Sequence, residues 1–431
     1  MKSILQRLLA SAARHTLKRY RPKIVAITGN VGKTSAKEAI FAVLAGRYRV
    51  RRSKGNYNTE IGVPLTILGV AHHGRNVFAW CWDIGRAYVQ ARLRSPGYPE
   101  ILVLEMGADH PGDIGELVGI APPDVGIITA IGEVPVHVEF FAGPKEVAEE
   151  KAKLIRAIPV EGRAILNGDD ASVLDIKGHT RARILVYGFR KDATVRIQRY
   201  ELDMALHPPG IRFELSHAGE TVPVVLKNTF GQQQAYAAAA AAAVGIIFRL
   251  RLSEIARALS RYEAPSGRLK LLRGNKGALI LDDTYNASPV ATLAALEVLA
   301  AFPAKRRIAV LGDMLELGTY TEDAHRGVGE RLIVVAELFF AVGERMKFAL
   351  DSAVHPGAGS IRRLTEHQVK WFSSSAEAGR ELDALLKPGD VVLVKGSQSI
   401  RMERVVEEIM AEPQKAGELL VRQDDFWLKS R

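Results

Sequence analysis

Cysteine is nearly absent from this chain: among 431 residues only Cys81 carries a thiol. An intramolecular disulfide and a cysteine-rich zinc site are therefore both excluded. No apolar run approaches the length of a membrane span. A secretory signal is not expected either, since Arg7 interrupts the first apolar stretch well short of a usual signal core. Acidic residues are in deficit, 48 against 59 Lys and Arg, which leaves a formal charge of +11. That balance admits nucleic acid, an anionic membrane surface or acidic small molecules as partners. No nucleic-acid module signature is present and the basic residues are spread along the chain, so nucleic acid is not expected. What the chain has is 47% apolar and 25% charged residues, the make-up of a soluble globular protein with two or three domains.

The most informative stretch is Ile24-Val25-Ala26-Ile27-Thr28-Gly29-Asn30-Val31-Gly32-Lys33-Thr34-Ser35, followed by Ala36-Lys37-Glu38-Ala39-Ile40. It reads as a buried strand, a glycine loop and a helix start. Such a turn aims several backbone N–H groups and the positive end of a helix dipole at one spot, which suits a phosphate. Gly29 and Gly32 allow close approach, Lys33 reaches the outer phosphates, and the Thr34 hydroxyl is placed for magnesium. The G-x-x-G-K-T spacing is shorter than that of the commonest phosphate loop. A helix that merely begins Gly-Lys-Thr is the plainer alternative, and the preceding strand argues against it.

Beyond the loop, strand-like and helix-like stretches alternate, which predicts an α/β protein with a largely parallel sheet. Ile101–Leu104 and Val125–Ile128 read as buried strands whose ends bring Glu105 and the stretch Thr129–Glu139 near the phosphates. From Arg163 to Leu226 shorter alternating runs predict antiparallel strands appended to this domain, and the alanine-rich Gln234–Ile247 predicts a tightly packed helix. Buried runs at Ala278–Asp283, Ile308–Leu311, Leu338–Val342 and Val391–Val394 predict a second, Rossmann-like domain. The expected division is an amphipathic helix over 1–20, an ATP-binding domain over 21–266 and a Rossmann-like domain over 267–431. Residues Ile4 to Leu17 and Val77 to Leu93 have helical apolar periodicity. Packing against the protein is the simpler reading of both, and contact with an anionic bilayer is the other.

Read residue by residue, the remaining candidates stay open. Glu105 after its strand is a metal ligand or a helix cap. His137, in Val136-His137-Val138-Glu139, is a ligand or a structural histidine. Lys151, beside Glu149, Glu150 and Lys153, reads as a solvated helix lysine.

Taken in order, the motifs resemble those of a known family. They are Thr28–Thr34, Gly55-Asn56-Tyr57-Asn58-Thr59-Glu60-Ile61-Gly62-Val63-Pro64-Leu65-Thr66, Glu105-Met106-Gly107-Ala108-Asp109-His110-Pro111-Gly112-Asp113-Ile114, Asp282-Asp283-Thr284-Tyr285-Asn286-Ala287-Ser288-Pro289, Leu311-Gly312-Asp313-Met314-Leu315-Glu316-Leu317-Gly318 and Val394-Lys395-Gly396-Ser397. Together they resemble the Mur ligases of bacterial cell-wall synthesis, in particular the branch that adds D-alanyl-D-alanine. The resemblance implies an ATP-dependent amide-bond ligase working through an acyl phosphate on a peptidoglycan-precursor peptide. It implies a nucleotide site of Gly29, Asn30, Val31, Gly32, Lys33, Thr34 and Ser35, with Tyr285, Asn286 and Asp313 from the second domain. Thr34 and Glu105 would hold one magnesium ion, His137 and a carbamylated Lys151 would join in holding a second, and Arg268 would reach the phosphates between domains. Lys33, Lys151, His137 and Arg268 are thus the implied catalytic set, in a cytoplasmic monomer.

Three departures stand out. Lys153 occupies a position where the family usually has glutamate. Gln233, Gln234 and Ala237 replace a His-Asn pair and a later Asn. Only about twenty residues precede the phosphate loop, where the family normally carries a uridine-nucleotide-binding domain. The last departure keeps a second reading alive, the same chemistry on a lipid-linked or non-uridylylated acceptor at the inner face of the membrane. A third reading is a membrane-peripheral ATP-binding switch without ligase activity, against which His137 and Lys151 argue.

Overall fold

The computed structural model describes residues 2–427 apart from 56, 75, 94–95, 358–361 and 425–426. Asn56, quoted above, lies outside the described residues. Among these residues nine strands form a first sheet: β1 (Lys23–Thr28), β2 (Val50–Arg52), β3 (Ile101–Glu105), β4 (Val125–Ile128), β5 (Arg163–Asn167), β6 (Arg183–Gly188), β7 (Val195–Asp203), β8 (Gly210–His217) and β9 (Glu220–Lys227). Their order is β2-β3-β1-β4-β5-β6-β7-β8-β9. Pairing is parallel from β2 to β7 and antiparallel across β7, β8 and β9. The fully buried apolar residues of β3 and β4 explain their parallel, two-sided burial. With β3 on one side of β1 and β4 on the other, the carboxyl ends of these three strands open a crevice at the switch point.

One expectation needs correction. β5 and β6 extend the parallel sheet, and the antiparallel part begins only at β7. The alternation in Ile184–Tyr187 reflects burial of one side of β6 more than the other, which reads as an antiparallel strand when only the sequence is in hand.

The helices of this half include α1 (Lys2–Tyr20), α2 (Lys33–Leu44), α3 (Gly62–Leu68), α4 (Val77–Leu93), α5 (Asp113–Ile120), α6 (Pro144–Arg156), α7 (Ala171–Asp175) and α8 (Gln232–Ile247). α8 lies along α2 with Ala235 and Ala237 to Ala243 buried. Small side chains let the two axes approach closely, so α8 fixes the helix that begins at the phosphate loop. Ala240→Leu is expected to lower stability by about 1–3 kcal/mol through overpacking. The readout is the urea midpoint, and an unchanged midpoint would mean the interface has room.

α1 buries Leu9, Ala12 and Ala13, in contact with α3, α4 and α5, as the simpler reading expects. α4 does the reverse with its apolar stripe: Trp80, Ala87 and Ala91 are buried, while Phe78, Trp82, Val89 and Leu93 face out. No helix among the described residues is long and apolar enough to cross a membrane.

The second sheet comprises β10 (Lys270–Arg273), β11 (Leu279–Asp283), β12 (Arg306–Gly312), β13 (Leu338–Val342), β14 (Val369–Phe372) and β15 (Asp390–Lys395), ordered β10-β11-β15-β12-β13-β14. All pairs are parallel except β10 with β11. The four expected runs form its centre. β10 and β14 add the edges, where partial burial leaves no continuous apolar run to see.

Candidate active site

The phosphate loop leaves the end of β1 and turns into α2. Gly29 and Gly32 have φ of 140° and 90°, in the region open mainly to glycine. A Cβ on Gly29 would lie 2.0 Å from Thr129 Oγ1, so no other residue fits there without displacing the loop. The Asn30 and Val31 N–H groups donate to Ala130 O, and Asn30 Nδ2 donates to Ile131 O. Asp170, at the start of α7, accepts the Ile131 and Gly132 N–H groups at 2.8 and 2.9 Å and so holds the supporting segment. Lys33 Nζ folds back onto Gly29 O at 2.7 Å and Asn30 O at 3.3 Å. Desolvation lowers its pKa, with Glu105 opposing.

Around this loop opens a cavity of about 450 Å³, lined from both domains. Its wall includes Gly29 to Lys33, Glu105, His137, Lys151, Arg268, Tyr285 and Asn286. Thr34 Oγ1 and Glu105 Oε1 are 3.3 Å apart. The other carboxylate oxygen of Glu105 is buried without a hydrogen bond, 3.6 Å from the buried Lys37 ammonium. An orphaned anionic oxygen beside a hydroxyl suits a hard divalent cation. Among the described residues no group of three His, Cys, Asp or Glu side chains is gathered at ligand spacing. Further ligands would therefore come from other groups, including phosphate oxygens and water.

His137, at φ 68°, lies with Nε2 3.4 Å from Asp109 Oδ1 and Nδ1 2.7 Å from Glu316 Oε2. It links the two domains, and its proximity holds the Glu316 carboxyl below the usual range. Lys151 is 1% exposed on α6, and its Nζ makes no hydrogen bond or ion pair among the described residues. Burial, and next the Lys33 charge, lower its pKa to about 7. Its neighbour Glu150 is turned away, accepting the Gly112 and Ile114 N–H groups at the start of α5 and pairing with Lys153 at 2.6 Å. Lys153 thus serves Glu150 and leaves Lys151 facing the cavity by itself.

From the second domain, Arg268 Nη2 comes 3.5 Å from Thr34 Oγ1, and its guanidinium lies over the Tyr285 ring at 4.0 Å. Its Nε is buried without a hydrogen bond. Asn286 Oδ1 accepts the Gln398 N–H, and Asn286 O accepts from Lys395. Three of the expected residues are not in the cavity wall: Thr34, which stands within 3.5 Å of the lining residues Glu105 and Arg268, Ser35 and Asp313. Ser35 is buried inside α2, and the Asp313 carboxylate accepts the Met346 N–H at 2.7 Å, at the start of the helix Met346–Val354. Gln234 is also committed elsewhere, accepting from Tyr262 Oη and donating to Arg268 O. Gln233 lines a narrow crevice with Gly32, Asn167 and Tyr236.

Sequence reasoning missed Lys37, Asp109 and Glu316 as site residues. Asp109 and Glu316 stand inside quoted motifs, which was the available signal. Lys37 is a charged residue on the apolar side of α2, one turn after Lys33. A second chamber of about 590 Å³ adjoins the first and shares Thr59, Tyr285, Gln398 and Trp427 with it, continuing to Tyr57, His72 and Arg422.

Comparison with known proteins agrees with this arrangement. Residues 86–245 match the Mur ligase middle domain and residues 267–398 the Mur ligase glutamate ligase domain. The chain is 31% identical over 403 residues to the UDP-N-acetylmuramoyl-tripeptide--D-alanyl-D-alanine ligase of Mycobacterium bovis, covering 90% of this chain and 73% of that protein. With the enzyme of the same name from Bacillus subtilis it shares 27% identity over 409 residues, 94% of this chain and 79% of that one. The MurF ligase of Thermotoga maritima, solved with ADP, superposes with a TM-score of 0.77 at 28% identity, covering 95% of this chain and 84% of that one. A phosphate loop, a Thr–Glu pair and a cross-domain arginine around one cavity, on a fold and sequence shared with these enzymes, place the chain in the Mur ligase family.

Proposed function

We propose that this protein is an ATP-dependent ligase that joins D-alanyl-D-alanine, or a similar amine, to the terminal carboxylate of a peptidoglycan-precursor peptide. The observation that carries the reading is the shared cavity, in which the phosphate loop, Glu105, Lys151 and Arg268 face one space from two domains. An acceptor carboxylate oxygen attacks the γ-phosphorus of ATP, ADP leaves, and an acyl phosphate forms. The amine then attacks the acyl carbon, and phosphate leaves from the tetrahedral adduct as the amide forms. Lys33 exchanges its loop carbonyls for phosphate oxygens, and Arg268 adds its guanidinium to the transferring group. Positioning and charge neutralisation supply most of the acceleration in such transfers.

Magnesium, when bound, neutralises phosphate charge. Thr34 and Glu105 would hold one ion, and Glu105, His137 and a carbamylated Lys151 a second. His137 would have to leave Glu316 to do so. Tyr285 and Asn286 are assigned to the nucleotide, with Asp313 acting through the loop it anchors. The working unit is taken as a cytoplasmic monomer with catalytic domains 21–266 and 267–431.

The test is incubation with ATP, magnesium, D-alanyl-D-alanine and UDP-N-acetylmuramoyl-tripeptide, followed by phosphate release and product mass. Amine-dependent phosphate release with a heavier product is expected. ATP binding without amine-dependent turnover on any precursor would overturn the reading. A lipid-borne acceptor is the second reading, favoured by the apolar side that α4 turns outward; turnover with lipid-linked but not uridylylated precursor would select it.

A further inference from the structure

The outer sides of α1 and α4 form a surface that the catalytic cavity does not use. On α4, Phe78 (89% exposed), Trp82 (73%), Val89 (56%) and Leu93 (74%) recur at helical spacing, with the exposed Cys81 beside them. α1 continues the surface with exposed Ile4 and Leu8. The hydroxyls of Ser11 and Tyr88, both exposed, lie 3.1 Å apart across the seam, so the two outer sides adjoin. Single exposed apolar residues are ordinary, whereas a contiguous stripe containing Phe and Trp marks a contact surface.

The exposed charges on the same two helices have one sign. Exposed Arg7, Arg14, Lys18, Arg19, Arg86 and Arg92 stand on them. α1 has no acidic residue. The one acid of α4, Asp83, lies 2.6 Å from His73 Nε2 on the inner side. An apolar stripe carrying Phe and Trp, bordered by arginine and lysine, is the pattern of a helix lying in the plane of an anionic bilayer. A second copy of the chain is disfavoured as occupant, since pairing the surface with itself would bring two sets of cations together.

We propose that the α1–α4 surface docks this protein on an anionic lipid bilayer, with Phe78, Trp82, Val89 and Leu93 entering the boundary between headgroups and acyl chains. The inner side of α4, opposite the docked one, adjoins the second chamber. His72 in that chamber's wall packs edge-on against Trp80 of α4, with ring centroids 5.3 Å apart. A bilayer under α4 would thus lie one helix away from the chamber, and a bilayer-borne acceptor would reach it past that helix. That use rests on the ligase reading, while docking itself does not and is tested without turnover.

The full chain is sedimented with vesicles of phosphatidylcholine alone and of phosphatidylcholine mixed with phosphatidylglycerol. Pelleting with the mixed vesicles is expected, falling at least about tenfold with the neutral ones, and the double variant Phe78→Ser/Trp82→Ser should lose it by about the same factor. Circular dichroism and ATP binding of that variant should match the parent, since both residues are at the surface. Because Cys81 is the chain's single thiol, an environment-sensitive fluorophore placed there should shift to the blue with mixed vesicles only. Absence of pelleting, or equal pelleting of the double variant, would overturn the proposal. A stable dimer in light scattering that the double variant splits would also overturn it, assigning the surface to a second copy.

Discussion

Lys151→Ala is expected to reduce ligation by on the order of 10³-fold, and short carboxylates such as formate or acetate should restore part of it. Lys151 is buried on α6, faces the cavity and has no hydrogen bond or ion pair among the described residues to hold an ammonium there. With its pKa lowered to about 7, a large share of the amine is neutral at neutral pH, unlike an ordinary lysine. Only the neutral amine attacks CO₂. The resulting carbamate turns a cation into an anionic oxygen donor of the kind a hard cation takes. Alanine preserves α6, where Val147, Ala152, Leu154 and Ile155 keep their burial, so lost activity would not report unfolding. The pH dependence has a definite sign: as pH falls through about 7 the amine keeps its proton, CO₂ uptake fails, and activity declines. Added bicarbonate should lessen the decline. Phosphate release measured across pH, with carbon-13 NMR after labelled bicarbonate, checks this. Full activity of the alanine variant would remove the carbamate from the mechanism.

The parts of this site legible in the sequence are those written in contiguous residues. Gly29 and Gly32 between a β-branched run and a helix start show a phosphate cradle, because the backbone there demands glycine and the flanking elements announce themselves. Glu105 was placed by its position after a buried strand. Convergence was harder to read. Thr34 meets Glu105 across 71 residues and Arg268 across 234, and no local pattern states either distance. Lys151 and Lys153 look alike as helix lysines; rotation about α6 buries one and gives the other to Glu150. The parallel pairing of β6 is hidden for a similar reason, since alternation records which side is covered and is silent on strand direction. For α4 the apolar period was visible, but a period cannot say whether its stripe meets the protein or leaves it. The outward turn follows from Trp80, Ala87 and Ala91 taking the inner side.

Arg268→Ala should lower the turnover rate by about 10³-fold while changing ATP affinity by no more than a few fold. The arginine stands at the entry to the second domain, where Gly267 at φ 68° makes a turn so tight that a Cβ would come 2.9 Å from Tyr285 N. Gln234 holds its carbonyl, the Tyr285 ring lies under its guanidinium, and its Nη2 is 3.5 Å from Thr34 Oγ1. A buried Nε without a partner is costly unless something arrives to accept its hydrogen. A phosphoryl group leaving ATP for the acceptor carboxylate is such an acceptor, its charge spread over three equatorial oxygens in the transition state. Lysine would keep the charge but lose the planar fork and the stacking on Tyr285, so Arg268→Lys should fall between parent and alanine. The measurement is single-turnover acyl-phosphate formation beside ATP binding by calorimetry. If the alanine variant loses affinity and rate in equal measure, Arg268 is a ground-state nucleotide contact. If it loses neither, the link between the domains at this loop is structural, and the cavity's second-domain wall would then owe its chemistry to its remaining polar groups, among them Tyr285, Asn286 and Glu316.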